Sequence, residues 1–241
     1  MKTNNEIINF KDIDVKNKTT WSGKKIISID IDWATDDVLL ETIELLERLK
    51  VKATFFVTHH TCLLRRIKDN EFFEIGIHPN FNELFNLHSN NNSAKDIVNS
   101  LLKIVPDCYL SRSHSLTTSS FLHNIYRDCG IKILSNYSMF ASDEIKPFEH
   151  LDGILEVPIY LHDDALLYRK SNGFESFDFF SQLNKKSKGI KVFGFHPIHL
   201  FLNTKDLKHY KESKPFLKNI NKLQTMKSDL IGPKDWLKAL I

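Results

Sequence analysis

Residues 24–34 read KKIISIDIDWA, and the fold is decided there. Ile26, Ile27 and Ile29 are β-branched, and the run is short and nearly continuous in apolar residues. Such a run reads as a strand buried on both faces, the kind found in parallel sheets. It ends in Asp30 and Asp32, two apart and so directed to one face of the strand. Two carboxylates on one buried face repel each other unless a cation or a proton lies between them. A metal or acid–base role therefore outweighs a pair of helix caps. Thr35-Asp36-Asp37 follows as a good helix start. Val38, Leu39, Ile43, Leu45, Leu46 and Leu49 then recur at helical spacing and predict an amphipathic helix over 36–50.

The alternation continues outward from this unit. Strands are expected at 53–57, 72–78, 109–111, 131–134, 153–159 and 191–195. Helices are expected at 60–69, 94–105, 118–129 and 175–187, with a closing helix that starts at Pro233. Roughly seven β–α units without a linker place the chain in the α/β class, with a parallel sheet and helices outside. That count suits an incomplete barrel better than an open doubly wound sheet. Upstream, residues 1–23 are polar and read as an N-terminal arm before a single barrel domain over 24–241. No Gly-rich phosphate loop is present.

Composition narrows the function classes. The 241 residues carry 41% hydrophobic and 26% charged side chains, ordinary values for a globular domain. A net charge of +3 makes no case for nucleic acid. Cys62, Cys108 and Cys129 are odd in number and widely spaced, so they form no disulfide framework and read as small buried hydrophobes. The first twenty residues hold no apolar signal segment, and no stretch has the length of a membrane span. A cytoplasmic protein is expected.

Polar residues gather where the expected strands end, which is where barrel enzymes carry their chemistry. His78-Pro79-Asn80-Phe81-Asn82, Arg112-Ser113-His114-Ser115, His162-Asp163-Asp164 and His196-Pro197-Ile198-His199 all follow apolar runs. Turns ask for Gly, Asn, Asp and Pro rather than His. His78 beside Asp32 suits a metal such as Zn²⁺. Arg112 reads as a partner of Asp30 or an anchor for an anionic substrate. His196 and His199, with Pro197 between them, are expected in a loop. Of His59 and His60, one at most is expected at the site, while His123, His150 and His209 read as solvated.

These ordered motifs resemble the polysaccharide deacetylase, or NodB-homology, family from about residue 24 to 204, and within it the WbmS-like subgroup tied to bacterial surface-polysaccharide synthesis. SIDIDWA resembles its first motif, ATFFV its second strand, EIGIHPN its second motif, RSHS the place of its R-x-P motif, and GFHPIH its last motif. The resemblance implies a distorted (β/α)7 barrel of the NodB-homology type and metal-dependent removal of an N- or O-acetyl group from a sugar. It implies Asp30 as catalytic base, Asp32 and His78 as metal ligands, Arg112 as the residue orienting the base, and His196 as general acid. The family's second motif carries a further His four residues on, where this chain has Asn82. His88 is the preferred third ligand, with Asn82 and His199 as alternatives. Zinc is the expected metal, with cobalt or nickel also compatible. Trp33 and Phe81 are expected to stack on a sugar face, and Asn80, Asn82, His114, Asp163 and His199 to line the groove. The substrate is a sugar or glycan that is free, nucleotide-linked, lipid-linked or polymeric. Rival readings are another metal-dependent amide hydrolase, such as a deformylase or cyclic-amide hydrolase, and an inactive glycan-binding homologue.

Overall fold

The computed structural model describes residues 6–85, 93–174, 178–183 and 187–241. Among them the strands are β1 (Lys25–Asp30), β2 (Ala53–Val57), β3 (Phe73–Ile77), β4 (Leu110–Ser111), β5 (Ile133–Leu134), β6 (Phe148–Glu149), β7 (Leu155–Glu156), β8 (Ile159–His162) and β9 (Lys191–Phe195). The helices are α1 (Asp36–Leu49), α2 (Leu64–Lys68), α3 (Ala94–Ile104), α4 (Ser120–Asp128), α5 (Asp163–Ser171), α6 (Phe179–Leu183), α7 (Pro197–Leu202), α8 (Leu207–Ser213), α9 (Ile220–Gln224) and α10 (Pro233–Ala239).

One sheet runs in the order β6-β7-β5-β4-β3-β2-β1-β9-β8. Its pairings are parallel except β6 with β7. β7 pairs with β5 and β8 pairs with β9, yet β7 and β8 are one run of chain interrupted only at Val157-Pro158. That run joins the two sides of the sheet, so the sheet curls into a distorted barrel. The expected single strand at 153–159 is thus two short strands. Pro158 supplies no N–H to a ladder, which explains the break.

Two interior rungs set the site. Ser28, Thr54 and Glu74 lie side by side in register, and Asp30, Phe56 and Gly76 form the next rung toward the strand ends. A Cβ on Gly76 would come within 2.7 Å of the Phe56 ring, so glycine there lets Phe56 lie across the interior. The Arg112 guanidinium sits over the Phe56 ring at 4.4 Å, and Phe10 meets that ring edge-on at 5.8 Å. Phe10 belongs to the segment that reads as a polar arm. Ile7, Ile8, Phe10 and Trp21 are buried in the main core, and Ile7 bridges to Lys25. The backbone N–H groups of Phe10 and Lys11 donate to the Glu74 carboxylate at 2.9 and 2.8 Å. Residues 7–21 therefore pack onto the foot of the barrel.

Three local expectations need correction. His196-Pro197-Ile198-His199 is not a loop: Pro197 opens α7, where its missing N–H costs nothing and its fixed φ suits the first turn. His123 and His209 are buried rather than solvated, and His150 is half-buried. His123 contacts Asp152 at 3.5 Å, and His209 bonds the Met226 carbonyl through Nε2 at 2.7 Å. Cys62 is exposed, with its thiol on the Asp36 carboxylate.

Candidate active site

The mouth of the barrel is built by the backbone just beyond the strands. Past β1 the chain turns through Asp32 (φ 37°) and Trp33 (φ 53°), two consecutive non-glycine residues in the left-handed region. Past β4 it does so again at Ser115 (φ 57°) and Leu116 (φ 52°). Such conformations are uncommon for these residue types and persist where the surroundings hold them. Here Trp33 N–H donates to Thr58 Oγ at 3.2 Å, and His114 N–H donates to the Pro79 carbonyl at 2.9 Å. The second bond ties the end of β4 to the end of β3, where His78 stands.

Asp32 is the centre of the arrangement. Its Oδ1 lies 3.3 Å from His78 Nε2 and 3.3 Å from His114 Nδ1, and its Oδ2 lies 3.5 Å from His196 Nε2. Burial would raise its pKa, but bonds from His114 and His78 and the charge of His196 hold the carboxyl far below its ordinary value. Asp30 is buried one step beneath. Arg112 Nη1 donates to Asp30 Oδ1 at 2.9 Å and to Ser28 Oγ at 2.8 Å. The rest of the guanidinium is fixed by the Ser135 carbonyl and hydroxyl. Burial again opposes ionisation, and Arg112, His78 and His196 overcome it, so Asp30 is a carboxylate. His196 is clamped from behind. Its Nδ1 lies 2.6 Å from Asp163 Oδ1, and its backbone N–H donates to Asp163 Oδ2 at 2.8 Å. Burial works against its charge, but Asp163 first and Asp32 next raise the imidazole well above its ordinary value.

These groups open on a cavity of about 210 Å³ lined by Asp30, Asp32, His78, His114, His162 and His196 among others. The ligand atoms of Asp32, His78 and His114 all lie within 4.8 Å of one another. A tetrahedral zinc site with bonds of about 2.1 Å sets its ligand atoms roughly 3.4 Å apart. The two 3.3 Å separations about Asp32 Oδ1 match that spacing, and two imidazoles with one carboxylate are a chemically suitable set for zinc. The residues therefore fit a divalent ion.

Asp30, Asp32, His78, Arg112 and His196 meet at the mouth. His114, expected only to line the groove, stands with Asp32 and His78 as the third donor. Asp163, also expected in the groove, is buried behind His196. His88 lies outside the described residues. Asn82 is exposed and donates to Ser115 Oγ at 3.2 Å. His199 is buried, bonds Thr204 Oγ through Nδ1 at 3.0 Å, and groups with Asp163 and His196 instead. Asn80 accepts from Asn82 N–H at the end of β3. Trp33 is 48% exposed and meets His114 edge-on at 5.1 Å, so a face remains free. Phe81 is buried against Tyr126 and offers no face to a sugar. Neither His59 nor His60 lines the cavity. An imidazole two residues after the Arg of a strand end is the sequence signal for His114 as a donor, and His162 lines the cavity without a role assigned from sequence.

The sequence matches the family model for WbmS-like polysaccharide deacetylases over residues 27–214. The chain belongs to that family. A crystal structure from Bordetella bronchiseptica, described as a polysaccharide deacetylase involved in O-antigen biosynthesis, is 31% identical, with a TM-score of 0.90 over 99% of this chain and 98% of that one. A polysaccharide deacetylase structure from Mycobacterium smegmatis is 16% identical, with a TM-score of 0.49 over 89% of this chain and 88% of that one. No curated protein matches the sequence. The fold is the distorted NodB-type barrel expected of a WbmS-like deacetylase. Among the described residues no helix is long and apolar enough to cross a membrane.

Proposed function

We propose that this WbmS-like protein is a metal-dependent deacetylase that hydrolyses an N- or O-acetyl group on a sugar precursor or glycan of bacterial surface-polysaccharide synthesis. The observation that carries the reading is that a held carboxylate and a held imidazole, Asp30 and His196, line one cavity with the Asp32–His78–His114 cluster. A binder that had lost its chemistry would need neither a base fixed by Arg112 nor an acid fixed by Asp163. The description of the Bordetella relative supports a surface-polysaccharide substrate.

Asp32, His78 and His114 would hold the ion, zinc being the best match to their donor set. A divalent ion so held would lower the pKa of a water and polarise a carbonyl oxygen. Asp30, kept ionised by Arg112, takes the proton of the attacking water. His196, kept protonated by Asp163, gives its Nε2 proton to the leaving amine or alcohol. Arg112 acts through Asp30 and never touches the substrate, since it is fully buried. Trp33, exposed beside His114, offers its free face to the sugar ring.

Acetate release from N- and O-acetylated sugars, sugar nucleotides and short glycans tests the reading. The wild type loaded with zinc, cobalt or nickel should release acetate, chelation should stop it, and metal return should restore it. A metal-loaded protein that releases acetate from none of these, in a pH scan around neutrality, would overturn it.

A further inference from the structure

Three consecutive N–H groups carry the chain from the end of β4 to His114. Arg112 N–H donates to the Ile77 carbonyl at 3.0 Å and His114 N–H to the Pro79 carbonyl at 2.9 Å, both on the β3 side. Ser113 N–H lies between them and serves the β5 side. There Ser135 N–H donates to the Ser111 carbonyl at 3.1 Å. The next bond of an evenly spaced parallel ladder would run from Ser113 N–H to the Ser135 carbonyl. That carbonyl is taken by Arg112 Nε at 3.2 Å. Ser113 N–H donates instead to Asn136 Oδ1 at 2.8 Å.

Asn136 is buried, and its own N–H donates to Glu156 Oε1 at 2.6 Å. Its Nδ2 has no hydrogen-bond partner among the described residues, so the oxygen is the end in use. Buried backbone N–H groups are almost always paired in a folded chain. Continuing the ladder would pair Ser113 and cost Arg112 one of its anchors. The amide oxygen of Asn136 satisfies Ser113 and leaves the Ser135 carbonyl to Arg112. It thereby fixes the residue just before His114, whose Nδ1 lies 3.3 Å from Asp32 Oδ1. Asn136 does not line the cavity, so it reaches the site through Ser113 and His114.

We propose that Asn136 is a positioning residue for the divalent ion. By holding Ser113 N–H it keeps His114 against Asp32 and His78, and so sets how tightly the ion is bound. One side-chain oxygen standing in for a backbone carbonyl lets two things be held at once: the guanidinium behind Asp30 and the backbone that presents the third donor. Groups that orient a ligand from behind are worth about 10–100-fold in metal affinity. The inference rests on the metal-dependent reading above.

The test measures zinc affinity by competition with a chromophoric chelator, on folded wild type, Asn136→Ala, Asn136→Asp and Glu74→Gln. Asn136→Ala should bind zinc about tenfold or more weakly. Asn136→Asp keeps an acceptor oxygen with or without a proton, and should stay within about threefold of wild type. Glu74→Gln loosens the foot of the barrel and touches nothing at the mouth, so its zinc affinity should not change. Should Asn136→Ala not fold, Ser113→Pro removes the donor in place of the acceptor, at a residue whose φ of −78° suits proline, and should weaken zinc as much. Asn136→Ala, or Ser113→Pro in its stead, binding zinc as tightly as wild type would overturn the proposal. So would Asn136→Asp as weak as Asn136→Ala, or an equal loss in Glu74→Gln. A wild type that takes up no zinc sinks the metal-dependent reading and the inference with it, whereas a wild type that binds zinc beside an indifferent Asn136→Ala sinks the inference alone.

Discussion

Glu74 and Asp30 are buried carboxylates inside the same barrel, one rung apart, and their surroundings could hardly differ more. Glu74 accepts four hydrogen bonds, from Phe10 N–H, Lys11 N–H, Thr54 Oγ and Tyr109 Oη, each between 2.7 and 2.9 Å. Both oxygens are engaged and the donors are backbone and hydroxyl groups. This carboxylate fastens the N-terminal segment to the foot of the barrel. Asp30 and Asp32 are held instead by Arg112, His78, His114 and His196, groups that carry charge, bind metals or move protons. They face a cavity. Burial of a carboxylate is therefore no mark of a site. What distinguishes the mouth is that the partners are ionisable and that space remains beside them.

Exchanging each carboxylate for its amide breaks the comparison most directly. Asp30→Asn should cut turnover by about 10²–10⁴ while metal content holds, and it should also lower the melting temperature, because the fully buried Arg112 loses its carboxylate partner. Steady-state kinetics on the folded fraction beside metal analysis checks this. Glu74→Gln should spare the chemistry. It sets an NH₂ group against N–H and O–H donors, costs about 2–3 kcal/mol of stability, and leaves the activity of the folded fraction unchanged. Urea unfolding with an active-site titration reads both quantities.

Glu156 sharpens the contrast as a third buried carboxylate. Its Oε1 accepts the N–H groups of Asn136 and Tyr137 at 2.6 and 3.3 Å, but burial outweighs them and pushes its pKa up to about 7. Between the ordinary carboxylate range and about 7, the folded chain keeps a proton that the unfolded chain has released. Stability from this group is therefore complete at low pH and lost as pH rises through that window. Glu156→Gln should raise stability by about 3 kcal/mol near pH 8 and change it little near pH 4. Unfolding curves at the two pH values check the sign.

The smallest expected effect lies at Asp163. His196 owes its raised pKa, against the pull of burial, first to this carboxylate. An acid must be protonated to act, so a raised pKa extends activity to higher pH. Asp163→Asn should move the alkaline limb of the kcat/KM profile to lower pH. A limb that stays in place would assign that limb to another group.

Much of this was legible in the sequence, for identifiable reasons. β1, β2, β3 and β9 are near-continuous apolar runs, a pattern that a strand buried on both faces requires. Asp30, Asp32, His78 and His196 stand at the ends of such runs and Arg112 at the end of the short β4, so their convergence follows from the fold. The N-terminal segment was harder. Ile7, Ile8 and Phe10 are few among polar residues, and what buries them is a rung of Thr54 and Glu74 far along the chain. α7 is hidden because Pro197 can break a run or open a helix, and the sequence around it does not say which. The third donor could not be placed by spacing at all. His114 reaches Asp32 only because its backbone is tied to Pro79 and turns through a left-handed Ser115, and no local pattern announces that.

The central claim is that Asp32, His78 and His114 hold one divalent ion, and it is most directly tested by metal content. Wild type, His78→Ala, His114→Ala and Asn82→Ala, purified alike and incubated with zinc, would be measured by elemental mass spectrometry after dialysis. About one zinc per chain is expected in wild type and in Asn82→Ala, and its loss in both histidine variants. Zinc retained in His114→Ala and lost in Asn82→Ala would contradict it, as would a wild type that takes up none.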